Sequence, residues 1–191
     1  MRREAGVPPP PGTNAGTAAS APAEPAQQRL PTSVCDTPRA GRRGVVLALG
    51  NDILGDDGVG IAAGRLLQAR LPAGVDSIEA GFGGFHLLDY LEGYPHALVL
   101  DALCTRQHSP GTVLELDLAD LRLVAGSPHY VGLPEILTLA ETLGLPLPPD
   151  LRVLGLEVTR LDTFGTDLSP AVAAALPGFV DRAAAIVATW E

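Results

Sequence analysis

The sequence predicts a single α/β domain over residues 44–191, a three-layer α/β/α arrangement around a mostly parallel five-stranded sheet. Three observations predict it. Short apolar runs of strand length alternate with amphipathic stretches of helical period, the pattern of successive βαβ units. The first run, VVLAL at 45–49, is apolar at every position, as a strand buried on both faces of a parallel sheet requires. A chain of 191 residues, 46% apolar, is long enough for one sizeable core and little more.

After that first strand comes a glycine-bearing turn. Residues 57–70 then place Val59, Ala62, Ala63, Leu66 and Leu67 at helical spacing, so a helix with acids in its first turn is expected. Residues 75–80 read as a second strand and 85–91 as a short helix after the GFGG turn. ALVLD at 97–101 is a third strand that ends in a carboxylate, and 112–116 is a fourth. Leu133, Ile136, Leu137 and Ala140 share a helical face that stops near Gly144, with Pro146 beyond it. Residues 152–158 form the fifth strand. The last helix opens with Ser169 as N-cap and Pro170 at the first helical position, and it repeats Val172, Leu176, Phe179, Val180, Ala183 and Val187 along one side.

Ahead of the domain, residues 1–43 hold eight prolines and eight alanines and almost no large apolar residue. Such a segment buries too little surface to offset its ordering entropy, so a disordered extension is expected. The two arginines of its MRREAGVPPPPG start have no apolar segment behind them, which makes neither a secretory nor a twin-arginine signal. Cys35 and Cys104 lie far apart and give no disulfide framework. Both observations favour the cytoplasm, and no apolar stretch reaches the roughly 20 residues that crossing a bilayer demands. A soluble protein with no membrane partner is expected, and a monomer is the default.

All 13 basic residues are arginine, and the net charge is −9. Residues 44–191 alone carry 7 arginines against 19 acids, a net −12. A body this acidic repels phosphate backbones, so nucleic acid is excluded as a partner; a cation or a basic peptide suits it better. The chain has no lysine and therefore no GxxxxGK[ST] phosphate loop, and its first turn is not GxGxxG, which disfavours both kinds of nucleotide enzyme.

The candidate chemistry gathers where strands end. LGNDILGDDGVG at 49–60 joins a buried strand to a helix through a turn dense in glycine and acid, and ligands of open α/β sheets bind beyond the carboxyl ends of the strands. One acid there could simply cap the helix, but adjacent Asp56 and Asp57 cannot both do so, leaving at least one for another role. Asp101 closes the third strand at the same edge. His129, in SPHYVGLPEIL, lies in a loop that runs into a helix. Taken singly, each of these is more often a cap, a loop hydrogen bond or a surface histidine. Together, two carboxylates and one imidazole from three loops make a set that suits a borderline divalent ion such as nickel or zinc with positions left open. Neither HExxH nor paired CxxC occurs, so no self-sufficient zinc-protease centre is evident. Two other classes compete: a non-catalytic nickel escort using the same three residues, and a hydrolase with Cys104 as nucleophile and His129 or His86 as base. His96 and His108 read as ordinary loop residues.

At these positions the sequence resembles the hydrogenase maturation protease family, whose members cut a C-terminal tail from the large subunit of [NiFe] hydrogenases. GNDILGDDGVG at 50–60, LDAL at 100–103 with Pro110-Gly111-Thr112 downstream, SPHYVGL at 127–133 and LGLEV at 154–158 carry the likeness, in the family's order and across nearly all of 44–191. Carried over by position, the family's metal-contacting and catalytic residues fall on Asp57, Asp101 and His129. Many members have glutamate where Asp57 stands and glycine where Ala48 stands. The resemblance implies a partner, the large-subunit precursor, that already holds nickel, so the metal comes with the substrate. It also implies cleavage after the basic residue that closes a CxxCxxH or CxxCxxR sequence. Asp57 is the first choice as ligand, with Asp56 or Asp52 as candidates to orient water or substrate.

Overall fold

The computed structural model describes residues 41–81, 86–117, 120, 136, 139–140 and 142–190. The proline-rich extension falls outside them up to residue 40, as do His129, half of the 133–144 helical segment and residues 82–85, which include all but the first residue of the GFGG turn. Of that helical segment, Ile136 and Ala140 are helical and buried.

Strands β1 (Gly44–Leu49), β2 (Val75–Ala80), β3 (His96–Leu103), β4 (Val113–Leu116) and β5 (Asp150–Glu157) form one sheet in the order β2-β1-β3-β5-β4. All neighbours are parallel except β4, which runs antiparallel to β5 at the far edge. The mostly parallel sheet expected from the apolar runs is therefore what forms. The helices are α1 (Val59–Gln68), α2 (His86–Leu91) and a last one, here α3 (Pro170–Val187).

Alternation along the strands sorts the core into two layers. Val46, Leu98, Leu100, Leu154 and Leu156 join α1 and α3 on one face, while Val45, Leu47, Val99 and Val153 meet Leu87 and Leu91 of α2 on the other. By length and composition α3 could cross a bilayer, yet it buries Val172, Phe179, Val180, Ala183, Ile186 and Val187 and turns Asp181 and Arg182 outward, as a core helix does. Asp181 takes Arg70 of the α1 end at 2.7 Å, which pins the two helices at the surface.

α1 lies close on the sheet where two of its buried positions, Gly60 and Gly64, are glycine. A Cβ on Gly60 would come within 2.3 Å of the Leu49 carbonyl oxygen and 2.4 Å of that of Leu100, and one on Gly64 within 2.5 Å of the Ala48 Cβ.

Several boundaries differ from expectation. β3 runs two residues past Asp101, because β5 pairs with it through Leu103 opposite Glu157. His96 is not a loop residue: it opens β3, its Nδ1 lies 3.1 Å from Asp150, and its ring stacks on Trp190 at 5.5 Å. The acids near residue 57 are not in the first turn of α1. They occupy a separate 3-10 turn, Gly55–Gly58, and α1 starts behind Gly58 with no side-chain cap.

Candidate functional site

The order β2-β1-β3 makes the gap between β1 and β3 the point where the chain's crossovers diverge, and its carboxyl end is where a crevice opens. The turn after β1 fills that end. Gly50 takes φ +129°, a conformation closed to other residues, and a Cβ there would fall 2.0 Å from the Asp57 carbonyl oxygen, so the chain must double back tightly over the later turn. The Asn51 side chain then accepts the Ile53 N–H at 3.2 Å, and its carbonyl accepts that of Leu54 at 3.0 Å. These bonds wind the segment into the 3-10 turn that carries Asp56 and Asp57.

The two adjacent acids have different tasks. Asp56, half-buried, accepts the backbone N–H of Ser169 at 2.6 Å and so ties the turn to the start of α3. Asp57 is 0% exposed. Asp52 is exposed and accepts from Arg65 at 3.2 Å, and the same guanidinium also grips Glu79 in a fork.

Asp101 is also 0% exposed, and the 3-10 turn packs against its strand. The pairing of β1 with β3 ends at Ala48 opposite Leu100, so Asp101 sits one residue beyond it, beside the turn. Its Oδ1 accepts the N–H of Ala102 at 2.7 Å, which fixes the carboxylate at the strand's end. Asp57 and Asp101 are thus brought to one edge as expected. Among the described residues no third His, Cys, Asp or Glu completes a metal-binding group with them.

A third buried acid escaped the sequence analysis. Glu157, 1% exposed, closes β5 and accepts the Thr105 hydroxyl at 2.7 Å and the Arg106 N–H at 2.8 Å. It thereby holds the loop that follows Asp101, including Arg106 at φ +62°. The signal was present: LGLE, like LVLD, is an apolar strand run into an acid at the same edge.

The remaining candidates lie apart from this chemistry. The half-buried Cys104 thiol donates to the Thr159 carbonyl at 3.4 Å, a bond between two strand ends. His86 is exposed and lies 3.7 Å from Asp89 on its own helix. A cleft of about 300 Å3 opens beside the turn, lined by Gly55, Asp56, Thr159, Arg160, Thr163 and Asp167 among others. A larger one of about 570 Å3, lined by Glu115, Asp117, Asp150 and Arg152, lies at the amino end of β5, the opposite edge of the sheet.

A family model described as hydrogenase maturation protease matches residues 62–186. Among curated relatives, the hydrogenase expression/formation protein HupD of Rhodobacter capsulatus is 28% identical over 154 residues, 78% of this chain and 72% of its own length. The hydrogenase 2 maturation protease of Escherichia coli is 29% identical over 116 residues, 58% of this chain and 70% of its own. Of the solved structures, the hydrogenase maturating endopeptidase HybD from E. coli superposes with a TM-score of 0.68 at 28% identity, covering 76% of this chain and 92% of that one. The [NiFe] hydrogenase maturation protease HybD from Thermococcus kodakarensis gives 0.60 at 28% identity, covering 76% and 99%. Sequence match and shared α/β fold agree: the chain belongs to the hydrogenase maturation protease family and is a peptidase of that type.

Proposed function

We propose that the chain is an endopeptidase that removes the C-terminal peptide of a nickel-loaded [NiFe] hydrogenase large-subunit precursor, meeting the substrate's nickel through Asp57, Asp101 and His129. One observation carries this reading: two carboxylates from separate elements, Asp57 and Asp101, are fully buried at the crevice end of β1 and β3 in a chain of this family. His129 enters from its sequence motif and lies outside the described residues.

The metal belongs to the substrate, and the chain supplies donors for it. Two carboxylates and an imidazole suit a borderline divalent ion while leaving it room for the precursor's own ligands. Carboxylates withdrawn from water interact strongly with an arriving cation, so a precursor lacking nickel is a poorer match than a loaded one. Asp57, Asp101 and His129 would hold the substrate's ion, which would supply Lewis-acid polarisation of the scissile carbonyl or an attacking water, while a carboxylate would take the water's proton and return it to the leaving amine.

Incubation of the full chain with nickel-loaded and nickel-free precursor, followed by mass spectrometry, tests this. Shortening of the loaded precursor alone is expected; a folded chain that shortens neither overturns it. An escort without catalysis would instead bind nickel tightly by itself and leave the precursor whole.

A further inference from the structure

The loop at 158–169 and the turn after β1 are joined across the mouth of the crevice. Gly165 gives its N–H to the Ile53 carbonyl at 3.0 Å and accepts that of Gly55 at 2.6 Å, a parallel bridge that sets Leu54 opposite Gly165. Ile53 and Phe164 each directly precede a bridged residue, so they lie on two segments held to one another by these backbone bonds. Both are left in solvent, Ile53 at 55% and Phe164 at 84% exposure. Two large apolar side chains left bare on segments fixed to each other by backbone hydrogen bonds offer an apolar surface to another molecule.

What covers it follows from the adjoining cleft of about 300 Å3, which has room for one long side chain but not for a folded element. Its charged lining is Asp56, Asp167 and Arg160, and the Arg160 guanidinium is engaged by Asp162 at 3.1 Å. Among the described residues Asp167 makes no ion pair. The cleft is therefore acidic, within a body of net −12, and complements a basic side chain. Asp56, which lines the cleft, directly precedes the buried Asp57 in the same turn.

We infer that Ile53, Phe164 and the Asp56–Asp167 cleft form a docking surface for the precursor polypeptide, taking an apolar side chain against Ile53 and Phe164 and a neighbouring basic one in the cleft. This rests on the peptidase reading above and adds to it the residues that select the substrate. Phe164, exposed and remote from the carboxylates' own hydrogen bonds, acts on binding and not on the chemical step.

Steady-state cleavage of nickel-loaded precursor by the full chain separates the possibilities. Phe164→Ala and Ile53→Ala should each raise KM about tenfold with kcat unchanged, the mark of lost uniform binding. Asp167→Lys should raise KM more at low than at high salt. Leu66→Ala, another exposed apolar position on α1, should leave both constants alone. A KM within twofold of wild type for Phe164→Ala and Ile53→Ala overturns the docking surface while leaving the peptidase reading intact. If wild type does not cut the precursor, the activity reading fails. Binding of the same precursor to immobilised chain then decides the docking surface: tenfold weaker binding by Phe164→Ala supports it, and equal binding, or none by wild type, overturns it.

Discussion

The Asp56 carboxylate accepts the Ser169 backbone N–H at 2.6 Å across 113 residues of sequence. Ser169 is the N-cap of α3, so an acid from the first turn of the domain satisfies a group at the start of its last helix, where its charge also meets the helix's positive end. The neighbouring Asp57 gains its fixed place from this tie.

Asp56→Ala should therefore cost about 1.5–2 kcal/mol, because it leaves the Ser169 N–H without its charged acceptor. Urea unfolding measures the loss. Ser169→Ala should cost far less, since the Ser169 side chain makes no cap hydrogen bond and the backbone N–H remains.

Glu157→Gln keeps the shape and an acceptor for the Arg106 N–H but replaces two charge-assisted hydrogen bonds by neutral ones, the Thr105 hydroxyl turning to accept from the new amide. A loss of about 1 kcal/mol is expected. Hydrogen exchange should show faster exchange at the Arg106 amide, with that of β1 little changed.

Gly60→Ala drives a methyl group into the carbonyls of Leu49 and Leu100, both backbone and unable to move singly. We expect about 3 kcal/mol of destabilisation as α1 lifts from the sheet. Thermal unfolding reads it directly, and a Gly60→Ala chain as stable as wild type would contradict the packing described.

At the other end of the sheet, burial alone would raise the Asp150 carboxyl, but the Arg152 guanidinium and His96 hold it below its ordinary value of 3.8. A carboxylate whose folded pKa is depressed stabilises the fold above its unfolded pKa, and that contribution is lost as the pH falls through the folded value. Asp150→Asn should thus lower stability at pH 6 by about 1 kcal/mol or less, with the gap to wild type closing below pH 4. Urea midpoints across pH 3–6 check the trend.

What could be read in the sequence was local. β1 and β3 announce themselves as apolar runs, because strands buried on both faces are built mostly of apolar residues, and against that background Asp101 and the acids of the turn after β1 stand out. What could not be read depends on partners far along the chain. That Asp56 ties to Ser169 could not be read because Ser169 lies 113 residues later, and the partner of Asp52, Arg65, lies a full helix away from it. His96 read as a loop residue because its partners, Asp150 and Trp190, arrive 54 residues later and at the end of α3's follow-on turn. Glu157 went unassigned because its carboxylate serves a loop brought to it by β3 pairing, not by sequence proximity.

Cleavage of nickel-loaded precursor by chains altered at the three candidate residues tests the central claim most directly. Asp57→Asn, Asp101→Asn and His129→Ala, each checked for an unchanged fold by circular dichroism, should lower the rate at least about a hundredfold. Any one of the three cutting the loaded precursor at the wild-type rate would contradict the account.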